Sequence, residues 1–246
     1  MIKSRHQAKT VGTFDTLEGR ALLTVSAMGY HHYHPIAAQT STNPAFVDQL
    51  FTVALNRSSG ETELTDITGR LDSGKLTRVK LARGVLNSQE SLTILVNDTY
   101  QTVLGNAPTP SQLQSGIAYL SRRGGSLNGL SARIYGTPEY RTTSSITDNT
   151  MFVANVASDA GVVLTTAQTN TYVDQLDSGR ATSTKVALKI LRSHEALGHQ
   201  IDSLYTSYLG TSPTGAQQTS AFATIKHAHR YGLRLALINS NEFVPA

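Results

Sequence analysis

The sequence predicts an all-α protein built as two tandem helical domains, each a pair of three-helix repeats of about 50 residues. Three observations carry this. The stretch "LDSGKLTRVKLARGVLNSQES" (71–91) returns without a gap as "LDSGRATSTKVALKILRSHEA" (176–196), 105 residues later. A looser copy, "LSRRGGSLNGLSARIYGTPEY" (120–140), lies 49 residues after the first, and "RLALINSNEF" (234–243) closes a fourth. Within the copies, Leu81, Val85 and Leu86 match Leu130, Ile134 and Tyr135, then Val186, Ile190 and Leu191, then Leu233, Leu237 and Ile238. That i, i+4, i+5 spacing is one helical face and not strand alternation.

The first 45 residues differ from the rest and are expected to be an export leader and flexible linker. Lys3, Arg5, Lys9 and Arg20 precede a short apolar patch that ends in "VSA", the small-x-small form of a signal-peptidase site. The patch is shorter than the ~7–15 apolar residues of an ordinary signal core. "YHHYHP" at 30–35 holds His31, His32 and His34, which could catch a transition metal weakly but have no nearby carboxylate to close a site. They are weak metal candidates, and no metal site is assigned. The tract that follows, "AAQTSTNP", reads as linker.

Each repeat opens with a helix: "FVDQLFTVALN" (46–56), "LVNDTYQTVLGN" (95–106) and "QIDSLYTSYLGT" (200–211), with a degenerate counterpart over 151–168. Gly105 and Gly210 fit left-handed C-caps. Middle helices follow at about 60–72, 110–121, 165–177 and 215–229, the first and third stopped by "LDSG". The third helix carries the repeated apolar face. After it come "NSQES", "GTPEY", "RSHEA" and "NSNEF", which place Glu90, Glu139, Glu195 and Glu242 in register. In "TPEY", Thr137 suits an N-cap and Pro138 the first helical position, so Glu139 meets the positive end of the helix dipole. The recurring Glu residues therefore read as structural helix starters. One unit buries too little apolar surface to stand alone. Pairing in sequence gives domains at 46–141 and 148–246, joined by the polar "RTTSSITDNT" (141–150).

Apolar-Asp-x-Leu-aromatic, Leu-Gly-x-x-Pro, Leu-Asp-Ser-Gly and Ser-x-Glu-Phe/Tyr, in that order over 46–246, resemble the bacterial helical repeat called domain of unknown function 4214. The resemblance implies an all-helical fold in large exported proteins: surface-layer proteins, adhesins and calcium-binding repeat proteins of the RTX type. It is similar, more remotely, to the helical linkers of phycobilisome rods. It implies no catalytic residues. Family members often carry Trp in the middle helix, where this chain has Ile67 and Ile117, and the Asp nonapeptides of RTX calcium sites are missing. Leu17, Glu18, Arg20, Leu22 and Leu23 further resemble the Leu-Glu-x-Arg-x-Leu-Leu export motif of planctomycete-type proteins, with Gly19 where Pro or Asp is usual. This implies a secreted or cell-surface protein.

Composition narrows the function classes. Cysteine is absent, which removes disulfides, thiolate catalysis and Cys-based zinc sites. No apolar run approaches the ~20 residues of a membrane span. The net charge is +4, yet no Lys/Arg run or aromatic-basic interleaving suggests nucleic-acid binding. "HEALGH" (194–199) sets His194 and His199 five apart, whereas a zinc-protease helix needs them four apart. "KHAHR" (226–230) puts His227 and His229 on different sides of a helix. No cofactor is implied. The expectation is an exported, non-enzymatic module that binds or scaffolds another envelope or extracellular macromolecule, protein or glycan. The alternative is surface carbohydrate recognition through Tyr119, Tyr135, Tyr140 and Tyr172. Behind both stands a hydrolase with an unrecognised site.

Overall fold

The computed structural model describes residues 42–122, 124–227 and 231–243, with 226 and 227 as backbone only. Residues 1–41 of the expected leader and linker, with His31, His32 and His34, lie outside the described residues, as does His229, while 42–45, expected as linker, form the Thr42 cap and first turn of α1. The described residues form thirteen helices and no strand, so the chain is all-α.

Four three-helix units follow one another. The first holds α1 (Asn43–Leu55), α2 (Glu61–Asp72) and α3 (Arg78–Leu86). The second holds α4 (Gln89–Leu104), α5 (Pro110–Ser121) and α6 (Leu127–Tyr135). A short α7 (Pro138–Thr143) leads to the third, α8 (Asn149–Asp159), α9 (Thr166–Asp177) and α10 (Ser183–Leu191). The fourth holds α11 (His194–Leu209), α12 (Gly215–His227) and α13 (Gly232–Ile238).

The starts of these helices are written in the local sequence. Thr42, Ser88, Asp148 and Ser193 cap the first helices, each side-chain oxygen accepting the backbone N–H three residues on. Thr77, Ser126 and Thr182 do the same for α3, α6 and α10. Three middle helices open with reciprocal boxes, Thr109 with Gln112, Thr165 with Gln168, and Thr214 with Gln217, while at α2 the Gly60 N–H donates to Glu63 Oε2 (3.1 Å) with no bond in return. Gly105 and Gly210, at φ 73° and 70°, end α4 and α11 in the left-handed conformation.

The degenerate third copy has a specific cause. α4 and α11 run unbroken from one unit into the next, but the corresponding stretch after the second unit is split into α7 and α8. Ser145 takes φ 52° there, while Ile146 N–H donates to Arg141 O (2.8 Å) and Ser145 N–H to Thr142 O (3.2 Å). That pair of bonds stops α7 after its second turn.

Two hydrophobic cores result, and they do not divide at 141–150. One is continuous in sequence from Leu92 to Ala196 and contains Leu120, Tyr135, Phe152 and Ile190. The other joins the first unit (Phe46, Leu50, Leu86) to the fourth (Ile201, Leu237, Phe243). The second unit therefore packs with the third and the first with the fourth, instead of the sequential pairing expected above. The proposed seam is itself built in: Ile146 is buried and Arg141 lies over the Phe152 ring at 4.9 Å. The first and last described segments meet directly, with the Phe46 and Phe243 rings edge to face at 5.8 Å.

Third helices do the joining. α6 and α10 run antiparallel, since Asn128 near the start of α6 donates to Leu191 O (3.2 Å) and Gly136, just past its end, lies against Thr184 at the start of α10. Their close approach depends on a small residue after the first apolar position of each block. That residue is Ala82, Ser131 and Ala187 in three copies, all essentially inaccessible, but Arg234 in the fourth, still only 5% exposed.

Candidate functional site

The four recurring acidic residues are the first candidates for chemistry. Glu90, Glu139 and Glu195 sit in the first turns of α4, α7 and α11, while Glu242 lies in the turn after α13. Each reaches back to the start of the middle helix of the unit it closes. Glu139 accepts from Gln112 Nε2 (2.7 Å), and Glu242 accepts from Gln217 Nε2 (2.7 and 2.9 Å). Glu195 accepts from the Val163 N–H (3.2 Å), in the turn before α9. In the first unit the box residue is Glu63, which cannot donate, so a cation stands between two carboxylates. Arg57 Nε meets Glu90 at 2.6 Å and Arg57 Nη1 meets Glu63 at 2.8 Å. This bond to Arg57 holds both carboxyls below the usual range. The four Glu are thus clasps, each committed to the three-helix unit that precedes it in the chain.

The "LDSG" motif has a second such duty in the first and third units. Asn43 donates to Asp72 (2.7 Å) and accepts from Arg78 (2.9 Å). Asn149 donates to Asp177 (2.6 Å) and accepts from Arg141 (2.7 Å). Each of those Arg residues covers an aromatic ring, Phe46 and Phe152. Among the described residues the first and third units share this clamp, and the echoed motif contributes Asp72 and Asp177 to it.

The tyrosines fare differently from the expectation of an exposed sugar platform. Tyr135 and Tyr140 are 0% and 1% exposed and cannot offer a ring face to a ligand. Their hydroxyls both donate to Asp159 Oδ2 (3.2 and 3.3 Å), tying α6 and α7 to the end of α8. Tyr119 is half-buried beneath Arg133, 4.4 Å from its ring centre, and Tyr172 is half-buried against the core. His194 stacks on Phe222 at 4.1 Å, spent on packing α11 to α12. Among the described residues no three His, Asp or Glu side chains converge on a point where a metal could sit.

Among the described residues Arg234 of α13 is a buried charge. Burial pushes the half-buried Asp98 carboxyl of α4 upward, against the pull of the Arg234 charge from α13. Burial likewise raises the Tyr208 hydroxyl, again opposed by Arg234.

Aligning the four units exposes a feature that a linear reading hides. The blocks at 73–87, 122–136, 178–192 and 226–239 carry four, three, four and three Lys or Arg residues and no Asp or Glu. Among the described residues the acidic ones sit on the first and second helices, on α7 and in the turns, including Glu242 after α13. Read along the chain, the runs of opposite sign are unequal in length and interrupted by Arg57, Arg70 and Arg141, and they look scattered. The signal was available in the aligned copies alone.

No family model, no curated protein and no solved structure matches this chain. No described helix is long and apolar enough to cross a membrane.

Proposed function

We propose that this chain is an exported, non-enzymatic helical repeat protein that binds or scaffolds another macromolecule at the bacterial cell envelope or outside the cell. One observation supports it best. The residues that recur are spent on shape, since the repeated Glu side chains bond back to the unit that precedes them and the repeated Asp and Asn side chains bond each other. A body whose repeated letters maintain form fits a scaffold better than a reaction centre. The resemblance to the domain of unknown function 4214 repeats and to the planctomycete-type leader supplies the extracellular setting; no family model carries either.

Envelope fractionation of the native cells, with sequencing of the mature N-terminus and cross-linked capture of partners, tests this reading. The expected result is a chain processed near "VSA" in the envelope or medium, with a stoichiometric partner. An intact Met1 form confined to the cytoplasm overturns it.

A further inference from the structure

The cationic third-helix blocks suggest what that partner is. On α10, Val186, Ala187, Ile190 and Leu191 are buried, while Lys185, Lys189 and Arg192 are exposed. Their i, i+4, i+7 spacing makes one stripe opposite the buried face, about 10 Å long at 1.5 Å per residue. Exposed Arg180 extends the charge into the preceding turn, where its Nε donates to Ser178 Oγ (2.8 Å). Lys189 is steered by Gln175 Oε1 (2.6 Å). The first unit carries a partial counterpart: exposed Lys75 and Lys80 stand 105 residues before Arg180 and Lys185, and exposed Arg83 lies three residues on along α3, while Gly84 and Asn87 stand where the stripe has Lys189 and Arg192. None of these seven side chains enters an ion pair among the described residues.

Such a segregation is not needed for folding. Interspersed signs would serve solubility better, and like charges at i, i+4 are mildly destabilising. The neighbours of the stripes are mostly hydroxyls and amides, Ser73, Thr77 and Asn87 on one, beside exposed Val79, and Ser178 and Thr182 on the other. No aromatic side chain lies on either, so bases have nothing to stack on. Each stripe also offers three or four cations, few beside the 6–10 phosphate contacts that give strong DNA binding.

We propose that the outer faces of α3 and α10 bind an anionic glycan, a polysaccharide bearing carboxylate groups, with lysine and arginine meeting the carboxylates and flanking hydroxyls meeting the sugar. This rests on the reading of the chain as an envelope-binding module and names its partner.

The test uses the purified full chain and immobilised polygalacturonate, with neutral dextran and double-stranded DNA as comparison ligands. The expected result is salt-sensitive retention on polygalacturonate, none on dextran and weaker retention on DNA. A variant with Lys80→Gln, Arg83→Gln, Lys185→Gln, Lys189→Gln and Arg192→Gln should keep its melting temperature and lose roughly tenfold in affinity. Absence of retention on polygalacturonate, an unchanged affinity in the variant, or tighter binding to DNA each overturns the proposal. Because the measurement needs no cell, it fails independently of the fractionation above. An exported chain that ignores polygalacturonate remains a scaffold with another partner, and a cytoplasmic chain that binds it loses its setting but not its surface.

Discussion

The recurring glutamates show how a conserved-looking letter can serve geometry. In the second and fourth units the box amide serves two masters, its oxygen accepting from the cap N–H and its nitrogen donating to the clasp Glu. In the first unit Glu63 replaces the amide, and Arg57 bridges the two acids. Glu139→Ala should cost about 1 kcal/mol in chemical denaturation, the scale of one partly solvated hydrogen bond to a charge. Arg57→Ala should cost less at neutral pH, about 0.5 kcal/mol, because every member of that cluster is more than a third exposed. Its larger signature lies in acid. Glu63 and Glu90 are held below their ordinary value near 4.5, so their contribution is present above that pH and is lost as pH falls through the lowered folded values. The variant should therefore show a flatter acid limb in a stability–pH curve. Asp98 has the opposite sign. Its folded carboxyl is raised, chiefly by burial, so stability is lost as pH rises through the window between the unfolded and folded values. Asp98→Asn should raise the melting temperature at pH 7 and remove that slope.

At the scale of elements, most of the fold is legible in the sequence. The i, i+4, i+5 faces, the Thr and Ser caps and the glycine stops place α2, α5 and α9 within a residue of their expected bounds. Local chemistry decides local structure there. What the sequence conceals is contact between distant elements. Gly136 looks like a spacer before "TPEY", yet a Cβ at that site would collide with Thr184 Oγ1 and crowd its backbone N at 3.1 Å. Gly84, inside α3, has nothing within 4 Å of the same imaginary atom. Gly136→Ala should therefore destabilise by about 1–3 kcal/mol through overpacking of the α6–α10 joint. Gly84→Ala should stabilise by up to about 1 kcal/mol through helix propensity alone. Paired thermal melts of the two variants check both signs. The split between α7 and α8 offers a third case. Ser145 holds a left-handed conformation that suits glycine, so Ser145→Gly should stabilise by about 1 kcal/mol.

At the scale of the molecule, a repeat period tells how many units there are but not which faces meet. The sequence offers adjacent units as partners, because 141–150 reads as a polar joint. The folded chain instead draws each core from both halves, and it closes with Phe46 on Phe243. The charge pattern was missed for a related reason, since it belongs to one helix of every unit and not to one stretch of chain. The central claim, that the first unit shares its core with the fourth, is tested most directly by hydrogen exchange on a Leu50→Ala variant. Leu50 is fully buried in α1, and its truncation should cost about 2–5 kcal/mol. Exchange should then quicken in α2 and α3 and, more than 100 residues away, in α12 and α13, while α6 and α10 keep their protection. Quickened exchange across α4 to α6 with α12 and α13 unchanged would contradict the account.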